Sequence, residues 1–222
     1  MGGWSRLPSM HTGGRARFAW LLQQRGIPYC DKERLEEWIS VQETRPDVFA
    51  RPLGFPPFLA EVAAPLEQES SGPARVGAVA SGATAKALSR LVRHAAAPLR
   101  SYRRLGVAMI VVLDHEEVEE AELEARDLLP LAVALEDRRP YVSAVLATLP
   151  KGASAPVVPG VQGRPMRVRV LHNPSAIVPL HLGIFAEPED EHMVRVGDRW
   201  VDIRTGALLL SRDGPPPSPP PE

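Results

Sequence analysis

The stretch Arg45–Pro65, RPDVFARPLGFPPFLAEVAAP, decides how this chain reads. Asp47-Val48-Phe49-Ala50 precedes a Gly/Pro turn at Pro52-Leu53-Gly54, and Pro57-Phe58-Leu59-Ala60-Glu61-Val62-Ala63 follows it. Short apolar runs on either side of such a turn predict two strands, with the turn returning the chain antiparallel. Asp47 then stands at the start of one strand and Glu61 inside the next. Glu61 lies between Leu59 and Val62, where alternation asks for strand residues, and a partly buried carboxylate needs a partner. Two carboxylates on adjacent strand ends can converge on one hard divalent cation, because such ions prefer oxygen ligands.

Outward from the hairpin, the N-terminal side predicts a short helix over Ala16–Arg25, with Phe18, Leu21, Leu22 and Arg25 on one side and Gly26 as its stop. Ile27–Cys30 reads as extended, and Asp31–Trp38 as a helical turn or two. On the C-terminal side, 64–82 is a Ser/Gly/Ala-rich loop, Thr84–Arg104 a helix and Gly106–Leu113 a buried strand. Glu116–Arg126 reads as an acidic helix, and Tyr141–Leu149, Met166–His172 and Arg199–Arg204 as further strands. Residues 1–14 form a loose arm and 213–222 a Pro-rich tail, which leaves 15–212 as one domain. Helix, strands, crossover helix, core strand and more strands make an α/β fold, a mixed central β-sheet flanked by helices.

Composition removes several classes. The longest unbroken apolar run, Val107–Leu113, is far short of the ~20 residues of a membrane span. A single cysteine, Cys30, excludes a disulfide framework and a Cys-based zinc site, and reads as a small buried hydrophobe. The expected setting is cytoplasmic, with no membrane partner. No G-x-G-x-x-G, P-loop or G-x-S-x-G occurs, so no nucleotide cofactor is expected. A net charge of −1 gives no whole-molecule attraction to nucleic acid, so any basic site must be local. Only three lysines occur, Lys32, Lys86 and Lys151, among 26 basic residues.

The crossover helix carries such a local site. At 100° per residue, Lys86, Arg90, Arg93, Arg100 and Arg104 share one arc, and Leu88, Leu91, Ala95, Leu99 and Tyr102 the opposite side. A basic stripe can track phosphates, although Pro98 interrupts the helical pattern and a solvated face paired with the acidic run at Glu116–Glu124 gives the same sequence. Asp114 reads as a helix N-cap at the end of the core strand and His172-Asn173-Pro174 as turn chemistry.

Pro46-Asp47 followed by Glu61-Val62-Ala63 on the next strand is similar to the PD-(D/E)xK motif of restriction-endonuclease-like nucleases. The helix with Phe18 and Leu22 before it, and the long helix and apolar strand after it, resemble that superfamily's αβββαβ core, here with additional C-terminal strands. The resemblance covers roughly residues 15–113. It implies Mg²⁺-dependent hydrolysis of DNA phosphodiester bonds, with Asp47 and Glu61 as catalytic metal ligands and Arg90, Arg93, Arg100 and Arg104 binding the nucleic acid. The family's lysine belongs two residues after the glutamate, where this chain has Ala63. Lys86 on the crossover helix is the candidate catalytic replacement. Without one, the same fold implies an inactive module for nucleic-acid or protein binding.

Overall fold

The computed structural model describes residues 13–40, 44–63, 81–114, 139–150, 166–196, 199–206 and 208–209. In chain order these form α1 (Gly14–Gln24), β1 (Tyr29–Asp31), a 3-10 turn (Leu35–Glu37), β2 (Val48–Ala50), β3 (Phe58–Val62) and α2 (Ser81–Leu99). A second 3-10 turn (Arg100–Tyr102) leads into β4 (Ala108–Leu113), followed by β5 (Ala144–Pro150), β6 (Met166–His172), β7 (Glu191–Val196), β8 (Arg199–Asp202) and β9 (Leu208–Leu209). The fold is α/β, with one mixed sheet of eight strands and the two-residue β9 paired along its outer edge.

Each strand lies beside its neighbour in sequence, from β1 to β9. The expected hairpin is present, with Val48 opposite Ala60 and Ala50 opposite Phe58. β3–β4, β4–β5 and β6–β7 pair in parallel, and the other pairs are antiparallel. The central strands β3 and β4 are buried along their whole length, as expected where a parallel ladder is covered on both faces. On one face, Leu59, Met109, Val111 and Val145 pack with Val92, Ala96 and Leu99 of α2. On the other, Ala60, Ile110 and Leu146 pack with Phe18, Leu21 and Leu22 of α1.

The end of α1 shows why the first helix stops where it does. Gly26 adopts φ 62°, Ile27 N–H donates to Leu22 O at 2.9 Å and Gly26 N–H to Gln23 O at 3.0 Å. This pair of bonds around a left-handed glycine satisfies carbonyls that the last helical turn would otherwise leave unpaired.

Several expected boundaries shift. Asp47 sits in a bend just before β2, because strand pairing begins at Val48. Helix α2 carries Pro98 in its last turn and tightens into the 3-10 turn at Arg100, so the expected helix over 84–104 is two elements. Strand β7, which starts at Glu191, was not expected. The expected acidic helix over 116–126 lies outside the described residues. No described helix is long and apolar enough to cross a membrane.

Candidate metal and nucleic-acid site

The hairpin register places the two carboxylates of the motif side by side. Val48 faces Ala60, so the same register carried one residue further sets Asp47 opposite Glu61. Asp47 N–H donates to Glu61 Oε2 at 3.1 Å, and Val62 N–H donates to Asp47 Oδ2 at 3.0 Å. The carboxylate of each residue thus caps the other strand's end, and the partner that Glu61 requires is the Asp47 backbone. Glu61 is 9% exposed and Asp47 2%.

Asp47 Oδ1 faces a cation. Arg15 Nε, from the first turn of α1, lies 2.8 Å from it, although their alignment makes an ion pair rather than a directed hydrogen bond. The Arg15 side chain is 55% exposed while that of Asp47 is fully buried, so the guanidinium closes the carboxylate off from the solvent side.

Burial pushes the Asp47 carboxyl above the usual Asp range, against the pull of Arg15, the Val62 amide and Lys32. Glu61 is pushed up to about 8, by burial first and by the adjacent Asp47 charge second; the Asp47 amide, Lys32 and Arg15 act the other way. At neutral pH Glu61 is therefore mostly protonated. A dyad of close carboxyls sharing one charge is the expected outcome when both are desolvated.

The donor set suits a hard divalent ion. Among the described residues no group of three His, Cys, Asp or Glu converges, so Asp47 and Glu61 would leave the remaining positions to water and phosphate oxygens. Mg²⁺ is commonly held in this way, by one or two carboxylates plus substrate phosphates.

Of the basic residues expected to bind nucleic acid, Arg90, Arg93, Arg100 and Arg104 are all exposed and make no ion pair with a described carboxylate. Val92, Ala95, Ala96, Leu99 and Tyr102 are buried between them, so the helix presents the amphipathic face that its sequence predicts. Arg100, Arg103 and Arg104 line a surface cleft of about 440 Å³, and Arg100, Arg103, Arg139 and Tyr141 line a second of about 340 Å³. The turn that bears them is tied to the approach to Asp47: Tyr102 O–H donates to Thr44 O at 2.7 Å, and Thr44 O–H donates to Pro98 O at 3.1 Å.

Lys86 lies on α2 within residues 81–88, whose side chains are outside the described ones. Ala63 is 2% exposed, and its methyl group packs in the apolar core facing α2. Sequence reasoning missed Arg15 and Lys32.

The other singled-out residues have structural partners. Asp114, 1% exposed at the end of β4, accepts from Arg17 Nε at 2.6 Å and from Thr148 Oγ1 at 3.0 Å, so cross-sheet partners hold it. His172 Nε2 and His192 Nδ1 lie 2.9 Å apart, and His192 Nε2 donates to Phe185 O at 2.9 Å. Neutral rings in this chain have a fixed order, with His172 donating to His192. Cys30 is buried in the core beside Phe49 and Leu59.

No family model, curated protein or solved structure matches this chain. Any functional reading therefore stands on the residues themselves.

Proposed function

We propose that the chain is a restriction-endonuclease-like domain that hydrolyses DNA phosphodiester bonds with Mg²⁺. The observation that carries this reading is the pairing of Asp47 with Glu61 at the ends of β2 and β3, with each carboxylate bonded to the other strand's backbone. The order α1-β1-β2-β3-α2-β4, with β3 and β4 parallel, supports it, because the PD-(D/E)xK motif sits at the same place in an αβββαβ core.

In this reading Asp47 and Glu61 hold the ion, and Arg90, Arg93, Arg100 and Arg104 hold phosphates along the strand. Mg²⁺, when bound, supplies polarisation of the scissile phosphodiester. Two groups of the chain must change for that. Glu61 gives up its proton, and the exposed end of Arg15 swings off Asp47 Oδ1. Cleavage is therefore expected to rise with pH as Glu61 ionises, through about 8.

A second reading has its own observation. The Arg15–Asp47 pair already neutralises the site from within, and Ala63 offers no charge. The fold would then bind nucleic acid without cutting it. Plasmid nicking in Mg²⁺ or Mn²⁺ separates the two. Wild-type protein is expected to nick, and Asp47→Ala to lose about 10²-fold or more of that rate, the scale of losing an electrostatic contributor. Nicking that survives Asp47→Ala would remove the dyad from the chemistry. DNA binding without metal-dependent nicking would leave the non-cutting module.

A further inference from the structure

A second group of charged residues gathers at the other end of the sheet. β3, β4 and β5 run parallel. Glu61 is the next-to-last residue of β3, whereas Arg103 precedes β4, and Arg139 and Tyr141 precede β5. Both of these segments therefore lie where the parallel strands begin, away from the end that carries the dyad. There Arg100, Arg103, Arg139 and Tyr141 line the cleft of about 340 Å³, and Pro140 and Ile177 complete its wall.

The segment bearing Arg139 and Tyr141 is held in place by its neighbours. Val142 N–H donates to Arg139 O at 3.0 Å, and Ile177 N–H donates to Pro140 O at 2.7 Å. Asn173 Nδ2 donates to Val142 O at 2.8 Å and to Arg139 O at 3.2 Å. Asn173 is 4% exposed, so a buried amide braces the segment from beneath. A wall fixed in advance lowers the ordering cost of taking up a ligand.

The charge in the cleft is all of one sign. Arg100 and Arg103 are exposed and Arg139 is half-buried, and none of them makes an ion pair with a carboxylate among the described residues. Like charges lining one cleft repel, and an anion seated among them relieves that repulsion while accepting charge-assisted hydrogen bonds. Planar guanidinium forks match the geometry of phosphate oxygens. The volume falls at the lower end of the ~300–1,000 Å³ of small-molecule sites. Tyr141, Pro140 and Ile177 give such a molecule an apolar side to rest on.

We propose that Arg100, Arg103 and Arg139 bind the phosphate group of a small organic phosphate, whose body lies against Tyr141, Pro140 and Ile177. The site goes beyond the nuclease reading and does not depend on it. A phosphate of a nucleic-acid backbone offers the same oxygens, so the test has an arm for each source.

Phenyl phosphate, inorganic phosphate and a duplex oligonucleotide are titrated calorimetrically into the full-length protein without divalent ions, so the result is independent of cleavage. The wild type is expected to bind phenyl phosphate saturably, and more tightly than inorganic phosphate. Arg103→Gln and Arg139→Gln are each expected to weaken that binding about 10-fold or more, the loss of one hydrogen bond to a charged group. Arg139→Lys lies between, Ile177→Ser narrows the preference for phenyl phosphate, and Arg34→Gln, outside the cleft, leaves binding unchanged. Thermal melting confirms that each variant is folded, and the exposed Arg103 carries the test should Arg139→Gln unfold.

No saturable binding of phenyl phosphate, or equal binding by the wild type and folded Arg103→Gln, would overturn the site. Equal affinity for phenyl and inorganic phosphate would overturn the organic part of the assignment. Duplex binding that falls in these variants, from a wild type that ignores phenyl phosphate, would overturn the small ligand and give the arginines to a nucleic-acid backbone. Plasmid nicking, which tests the dyad, is decided separately from all three.

Discussion

Asp190→Ala is expected to destabilise the protein by about 3–5 kcal/mol, because it strips the acid from a buried ion pair. Asp190 is 3% exposed and serves three donors at once: Arg25 Nη2 at 2.9 Å, Val168 N–H at 2.9 Å and Glu187 N–H at 3.1 Å. Arg25 ends α1, Val168 lies in β6, and Glu187 is in the loop before β7, so one carboxylate ties the first helix to the far half of the sheet. The Arg25 side chain is only 6% exposed and keeps Glu187 as its remaining acid, itself 42% exposed. For a domain of this size the loss corresponds to a melting temperature lower by roughly 6–20 °C. Urea denaturation measures it directly. Asp190→Asn retains acceptors for the two amides and is expected to fall between the wild type and Asp190→Ala. A cost below about 1 kcal/mol in Asp190→Ala would show that the Arg25 charge finds water or Glu187 without strain.

The second large effect is in pH dependence. Glu61 binds its proton more tightly when folded, with its carboxyl raised from 4.5 to about 8. Between those values the folded state carries more protons than the unfolded state, so stability falls as pH rises from about 4.5 to about 8 and then levels. Asp47, also raised, acts with the same sign. Glu61→Gln retains an acceptor for the Asp47 amide and has no proton to lose. It should match the wild type near pH 5 and exceed it near pH 9, by up to roughly 4–5 kcal/mol. On the acid side, burial, followed by the neighbouring His192, lowers His172 to about 4, and burial also lowers His192. These two groups remove stability as pH falls from about 6.5 towards about 4, in wild type and variant alike. Urea unfolding at pH 5, 7 and 9 reads both limbs. An equally steep alkaline decline in Glu61→Gln would place its cause elsewhere.

Much of the fold was legible because the informative features are local. The Pro52–Gly54 turn between two apolar runs specified the hairpin, and the seven apolar residues from Val107 to Leu113 specified a strand buried on both faces. Gly26 marked the end of α1. What the chain did not disclose depends on register and on distant partners. Strand β7 begins with Glu191, which faces Arg169 in β6 and accepts from its Nε at 2.5 Å. A charge neutralised across a ladder looks like loop in one dimension. Asp114 gave a similar false impression: a carboxylate after an apolar strand suggests a cap, but its donors come from α1 and β5. The dyad itself was legible, whereas Arg15 and Lys32 are 32 and 15 residues from Asp47 in sequence, and only folding brings them to it.

The unbroken succession from β1 to β9 bears on how the chain finds its structure. Antiparallel neighbours joined by short turns, such as β2 and β3, can close early because little chain entropy is lost in bringing them together. The parallel ladders β3–β4 and β4–β5 each require a long crossover before their first contact is made. Refolding is therefore expected to be limited by assembly at the centre of the sheet, with the outer hairpins adding faster. The same central strands carry Glu61 and border Asp47, so the candidate site takes shape only when the slowest contacts have formed.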